Sequence, residues 1–466
     1  MPMMRLSEAA TAIGGQVQGS DVVFDSVATD TRNMAPRALF VALRGERFDG
    51  HDFIAQAMQQ GAAAVMAQRS DTCGRPAGAP IPGLLVEDTR RALGQLARNW
   101  RGRFSLPVVA LTGSSGKTTV KEMLAAILRR ACDETQAVPG VLATRGNLNN
   151  DIGVPLMLLE LKGTHRYAVI EMGMNHAEEI RYLAQLAEPD VGLVNNAGRA
   201  HIGLLGSEEA IARAKGELFE ELKPGATAVI NADDRYAPLW RRFAAGRRQI
   251  DFGIEAPAAV TARYRLRYLE SEIVVKLPRG EASLTLRAPG LHNVRNALAA
   301  AAAASALDIE PGTIASGLAG YAGVKGRLQK KAGLRGATVL DDTYNANPDS
   351  VRAAIALLAQ APGKRLLVLG DMGELGPEAL RYHYEAGAAA HAAGIEGLVT
   401  LGELSGQAAT AFGPDARHFT RIEDLLAEIG NRLQHDVTML VKGSRFMRME
   451  RVVQAFAVDE KGETKP

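Results

Sequence analysis

The chain has 466 residues, 47% of them apolar, and carries 54 basic against 52 acidic side chains. That length holds about three domains, each able to bury its own core, and a near-balanced charge without a basic stripe or tail removes electrostatic support for nucleic-acid binding. Cys73 and Cys132 lie far apart and form no metal or redox pair; both read as ordinary thiols of a reducing compartment. Met1–Glu8 lacks the long apolar stretch of a signal peptide. The longest small-residue run, Ala297 to Ala306, is too short and too alanine-rich to span a bilayer and reads as a close-packed buried helix. A soluble, cytoplasmic protein without a membrane partner is expected.

A first unit occupies residues 1–105. Apolar runs at Ala38–Leu43, Ala63–Met66 and Gly83–Val86 alternate with helical stretches, Gly74–Pro82 reads as a loop, and a helix from Thr89 to Trp100 leads out of the unit.

The second unit, residues 106–327, opens on the most informative segment of the chain. The apolar run Pro107–Leu111 precedes Thr112-Gly113-Ser114-Ser115-Gly116-Lys117-Thr118-Thr119, and helix-forming Val120–Leu128 follows. Strand, glycine loop and helix in that order are the setting of a phosphate-binding loop. Glycines let backbone N–H groups turn toward phosphate oxygens, and the helix N-terminus adds partial positive charge. Gly113 to Thr119 are thus candidate ATP contacts, with Lys117 reaching the β and γ phosphates and Thr118 holding Mg²⁺. One departure from the usual pattern is Leu111, which stands where its first glycine belongs.

Downstream, the loop Thr144–Pro155 is dense in amides. Thr144, Asn147, Asn149 and Asn150 suit a polar, sugar- or peptide-containing substrate, although a bare loop would also explain them. Strand candidates Tyr167–Glu171, Val191–Asn195 and Thr227–Asn231 alternate with helices, which predicts a parallel sheet covered on both faces. Glu171 ends its strand beside the crevice of such a sheet; it is either a second Mg²⁺ ligand or a solvated helix-cap acid. His201, just past the next strand, is either a metal ligand or structural. Lys215, on the charged helix Ala212–Phe219, reads by itself as a surface lysine. Ile273–Leu277 and Ser283–Arg287 flank a Pro-Arg-Gly turn as a hairpin, and a helix follows from Leu291 to Leu307. Asn293 and Asn296 share a face of that helix start and could read a nucleobase or cap the helix. Arg327 could clamp a phosphate or serve as a hinge cation.

The third unit, residues 328–466, has strands at Thr338–Asp341, Arg365–Leu369, Gly397–Leu401 and Thr438–Val441 with helices between, which reads as a Rossmann-like α/β domain. Asp342 follows the first of these strands and could accept from ribose hydroxyls or form an Asx-turn.

Taken together these residues resemble the Mur ligase family of ATP-dependent peptide ligases over essentially the whole chain. T-G-S-x-G-K-T-T matches the family's phosphate loop, missing first glycine included. The family's metal glutamate, histidine and carbamoylated lysine map onto Glu171, His201 and Lys215, and its nucleotide-binding positions onto Asn293, Asn296, Arg327 and Asp342. The resemblance implies three α/β domains: a small N-terminal one, a central P-loop ATPase-like parallel sheet and a C-terminal Rossmann-like one. Asp30-Thr31-Arg32 with Leu39–His51 resembles a first-domain uridine-nucleotide site, which makes Thr31 and Arg47 substrate candidates. Asp342–Pro348 in Y-N-A-N form, Gly370–Gly376 and Lys442–Arg445 resemble the branch that adds D-alanyl-D-alanine, with Asn345, Asn347 and Lys442 as candidate contacts; the D-N-P-R motif of the branch that adds diaminopimelate is absent. Pro348-Asp349, where small residues often stand, is expected to be a loop variation.

The implied reaction activates the terminal carboxylate of UDP-N-acetylmuramoyl-tripeptide with ATP, through an acyl phosphate that D-alanyl-D-alanine then intercepts. It implies two Mg²⁺ sites, on Thr118 and on Glu171 with His201, a carbamate on Lys215, and a monomer with small-molecule partners only. A folylpolyglutamate synthetase lacks the uridine-nucleotide module, a P-loop kinase needs no third α/β domain, and a nucleotide-gated scaffold would not turn over.

Overall fold

The computed structural model describes residues 2–46, 48–69, 81–132, 139–198 and 202–458. The segment read as a loop at Gly74–Pro82 lies, apart from its last two residues, outside the described residues, as do Arg47, Cys73 and His201.

Three α/β units follow one another along the chain. The first is built on a five-stranded sheet in the order Gln16–Gln18, Gly83–Val86, Ala64–Gln68, Ala38–Val41, Ser26–Ala28, parallel except at the Gln16–Gln18 edge. The second is a six-stranded, wholly parallel sheet in the order Arg248–Phe252, Thr227–Asn231, Val191–Val194, Val108–Thr112, Tyr167–Glu171, Val141–Ala143. A three-stranded antiparallel sheet, Thr261–Leu266, Ser271–Leu277 and Gly280–Leu286, is appended to it. In the third unit the order is Gln329–Ala332, Thr338–Asp342, Val437–Lys442, Lys364–Gly370, Gly397–Leu401, Ala416–Phe419, with only the first strand antiparallel.

Alternation along the strands sorts side chains to two faces of the central sheet. Val109, Leu111, Val169, Val191 and Val229 face the helices Lys117–Ala131 and Leu291–Ala306. Val108, Ala110, Ile170, Val194 and Ile230 face the other way, toward the helices Thr89–Arg101, Glu179–Ala187 and Glu208–Glu220. That second core runs on without a break into Leu39, Met66 and Leu84 of the first sheet, so the helix Thr89–Arg101 is shared by two units. Ala297 to Ala304 are completely buried, as the alanine run predicts: methyl side chains let this helix lie close against the phosphate-loop helix.

The sequence reading omits the edge strands Val141–Ala143, Arg248–Phe252, Gln329–Ala332 and Ala416–Phe419, and Thr261–Leu266, which turns the expected hairpin into a three-stranded sheet. Edge strands are short or half-exposed, so their apolar signal is weak. Pro348-Asp349 is not a loop variation. Pro348 is the first residue of the helix Pro348–Leu358, where a missing N–H costs nothing, and Asn347 caps that helix by accepting from Ser350 N–H at 2.9 Å.

Candidate active site

The C-terminal edge of the central sheet carries a cleft of about 1030 Å³ whose walls include residues of all three units. At its centre, Val108–Thr112 runs into the glycine loop and the helix begins at Lys117. Gly116 has φ +79°, and a Cβ there would stand 2.4 Å from Asn296 Oδ1 and 2.8 Å from Asn195 Nδ2, so only glycine fits.

A set of amides fastens the loop. Asn195 Nδ2 and Asn196 Nδ2 donate to the Ser115 carbonyl at 2.9 and 3.0 Å, and Ser115 N–H donates to Asn196 Oδ1 at 2.9 Å. Asn195 Nδ2 also lies 3.1 Å from Asn296 Oδ1, and Asn231 Nδ2 donates to the Asn195 carbonyl at 2.8 Å. Asn195, Asn196 and Asn231 close apolar strands just as Glu171 does. A polar side chain at the end of an apolar strand is the signal in the sequence that marks these asparagines. Asn293 and Asn296 do line the cleft, yet neither caps the helix. Gly290 is the cap residue, and Asn293 Nδ2 donates back to the Pro289 carbonyl at 2.8 Å.

Lys117 folds onto its own loop, Nζ to the Gly113 carbonyl at 2.6 Å. Burial pushes its ammonium below the ordinary lysine range; Arg327 pushes the same way, while Glu171 and Glu374 oppose. Arg327 Nη2 donates to Thr118 Oγ1 at 3.0 Å, and the guanidinium lies 4.3 Å from the centre of the Tyr344 ring. Asn347 Nδ2 donates to Ser115 Oγ at 3.1 Å. Two side chains past the central sheet thus touch the phosphate loop directly.

Glu171 is buried. Its Oε1 accepts from Asn149 Nδ2 at 2.8 Å, and its Oε2 has no hydrogen-bond partner among the described residues. Behind it, Thr144 Oγ1 accepts from Glu171 N–H at 2.9 Å, and the buried Lys121 donates to the Thr144 carbonyl. Thr144 therefore supports the strand end and is not on the cleft wall, whereas Asn147, Asn149 and Asn150 are. Thr31 sits buried in a 3-10 turn of the first unit, away from this wall.

Lys215 is not a surface residue. It is 1% exposed, and burial followed by the Lys117 charge holds its amine well below the ordinary lysine range. Asp342 is buried with its Oδ2 2.6 Å from Lys442 Nζ; burial raises its pKa against that ammonium's pull. Lys442 also donates to the Asn345 carbonyl at 2.9 Å. The turn after this strand is made by the neighbouring Asp341, whose Oδ1 accepts from Thr343 Oγ1 at 2.7 Å. Asp342, Asn345, Asn347 and Lys442 all line the cleft.

Three family models match the chain: Mur ligase family, catalytic domain, over residues 23–101; Mur ligase middle domain over 111–304; and Mur ligase, glutamate ligase domain, over 326–445. The chain belongs to the Mur ligase family. It is 42% identical over 467 residues to the UDP-N-acetylmuramoyl-tripeptide–D-alanyl-D-alanine ligase of Escherichia coli, with 98% of each chain covered. Its fold is similar to crystal structures of MurF from Acinetobacter baumannii (36% identity, 97% and 99% covered, TM-score 0.89) and of MurF from Thermotoga maritima in complex with ADP (28%, 92% and 96%, 0.79).

The chemistry of this Mur ligase cleft suits a divalent cation. Glu171 offers an orphaned, buried carboxylate oxygen, and the Thr118 hydroxyl is met by a cationic guanidinium. Among the described residues no group of three or more histidine, cysteine or acidic side chains is assembled to hold a metal.

Proposed function

We infer that the chain is an ATP-dependent peptide ligase that joins D-alanyl-D-alanine to UDP-N-acetylmuramoyl-tripeptide, giving the pentapeptide precursor of peptidoglycan with ADP and phosphate. The observation that carries this reading is the meeting of a glycine phosphate loop, the buried Glu171 and the strand ends of the third unit on one cleft. Similarity to ligases of that name over nearly the full length supports it.

A carboxylate and a triphosphate repel each other, so the protein's task is neutralisation and in-line positioning. Lys117, released from Gly113, would hold the β and γ phosphates together with the loop N–H groups. Asn293, Asn296, Arg327 and Asp342 would hold the rest of the nucleotide, and Arg327 would exchange Thr118 for phosphate oxygens. The tripeptide carboxylate attacks the γ-phosphorus and ADP leaves. The dipeptide amine, having lost its proton, attacks the acyl carbon, and phosphate departs. Thr118 and Glu171, joined by His201, would hold two Mg²⁺ ions, which when bound supply Lewis-acid charge neutralisation at the phosphates. Lys215, whose charged form burial and the Lys117 charge disfavour, is suited to react with CO₂ and present a carbamate instead of a cation; mass spectrometry of the native protein tests this.

Thr31 and Arg47 would contact the uridine nucleotide, Asn147, Asn149 and Asn150 the muramoyl-peptide part, with Thr144 bracing the strand end behind them, and Asn345, Asn347 and Lys442 the dipeptide. The units are proposed to divide at residues 105/106 and 327/328, in a cytoplasmic monomer. No helix among the described residues is long and apolar enough to cross a membrane.

The test mixes protein, ATP, Mg²⁺ and UDP-linked tripeptide and follows phosphate release. Release that requires D-alanyl-D-alanine and yields the pentapeptide supports ligation. A phosphorylated end product, or no turnover with both substrates present, defeats it.

A further inference from the structure

The cleft holds an ion pair that the chemistry above leaves unused. Arg90 is the second residue of the helix Thr89–Arg101, and Asp88 Oδ1 fixes the helix start by accepting from Arg90 N–H at 2.8 Å and Arg91 N–H at 2.9 Å. From there the guanidinium crosses to Asp151 in the amide-rich loop. Nη2 donates to Oδ1 at 2.9 Å and Nε faces Oδ2. Asn150 Oδ1 steadies that loop by accepting from Gly153 N–H at 2.8 Å. Arg90 and Asp151 line the cleft wall together with Asn175 and Glu179, and their side chains are 51% and 32% exposed.

The sheet order places this pair. Outward from the phosphate loop on one side come Glu171 and then the Val141–Ala143 strand, whose following loop carries Asp151; on the other side come Asn195 and Asn231. A carboxyl group brought to the γ-phosphate between Lys117 and Glu171 leaves the residue that bears it on the Arg90–Asp151 side. A fork-on-fork pair still has the two N–H donors of Nη1 and spare carboxylate lone pairs. A ligand group with ammonium and carboxylate on one carbon satisfies both partners at once. An ammonium alone satisfies only Asp151 and is repelled by Arg90.

We propose that Arg90 and Asp151 read the side-chain end of the tripeptide's third residue and select an amino-acid zwitterion, as in diaminopimelate, over a lone ammonium, as in lysine. This rests on the ligase reading above. The test compares kcat/KM of the full chain for two UDP-linked tripeptides differing only in that distal carboxylate. The wild type favours the zwitterionic substrate, and Arg90→Met lowers the preference ratio by about tenfold through KM. Arg90→Lys, which keeps the charge, restores part of it, and thermal melting confirms that both variants fold. Equal losses on both substrates, or a wild type without preference, overturn the proposal while ligation itself stands. Turnover of neither substrate by the wild type overturns the ligase reading instead.

Discussion

The central and third units each end in a parallel-sheet edge facing the same cleft, and the two edges are finished differently. The third is closed upon itself. Asp371 accepts N–H bonds from Glu403 at 2.9 Å and Ser405 at 2.8 Å, Ser444 Oγ links the Ala346 carbonyl to Gly373 N–H, and Lys442 pairs with Asp342. Among the described residues the buried Ser405 hydroxyl has no partner there. The central edge is left open at its chemical centre: Glu171 Oε2 and Thr112 Oγ1 are buried without hydrogen-bond partners among the described residues, and Lys117 is turned back on its own loop. Unsatisfied buried groups cost stability and persist where a ligand completes them. The contrast separates a rigid binding wall from a reactive one.

The comparison breaks most readily at Lys442. Lys442→Met leaves the Asp342 carboxylate buried without its ion partner, and a loss of about 3–5 kcal/mol in unfolding free energy is expected. Chemical denaturation measures it; a loss below about 1 kcal/mol would mean that the third edge is not held by this pair. Glu171→Gln makes the opposite case. The amide oxygen keeps the Asn149 bond while the orphaned charge disappears. Ligation is expected to fall on the order of 10²-fold with a melting temperature unchanged or raised. Equal destabilisation by both variants would erase the distinction between the edges.

Part of this was legible in the sequence. Buried strands announce themselves as unbroken apolar runs, such as Val108–Leu111 and Leu366–Leu369, and the glycine loop carries its own signature. The half-exposed Gln329–Ala332 and Ala416–Phe419 carry no such run. Lys215 could not be placed from its helix, because a charged neighbourhood in sequence says nothing about the sheet it packs against. Nor could pairings such as Asn347 with Ser115, which bridge 232 residues and exist only once two units close on each other.

A smaller effect is expected at the loop itself. Gly116→Ala forces a side chain into φ +79° and against Asn296 and Asn195. A cost of about 1–3 kcal/mol and weaker nucleotide binding should appear together in thermal melts with and without ADP. If melting alone falls and ADP affinity holds, the amide network is structural only.

The finest probe sits where the two edges meet. His292 belongs to the alanine-rich helix of the central unit, lines the cleft and feels Lys442 of the third. Burial first, then the charges of Lys442 and Arg295, lowers its pKa from 6.5 to about 4. Between those values the unfolded chain binds the imidazole proton and the folded chain does not, so stability rises with pH across that window. The contribution is therefore fully present above pH 6.5 and is lost progressively as pH falls toward 4. His292→Gln should flatten this part of the stability–pH curve and leave the region above neutrality unchanged, as read by denaturant midpoints at successive pH values. An unaltered acid limb in the variant would assign that limb to other groups, and with it remove the imidazole as a reporter of how closely the open edge and the closed one are pressed together.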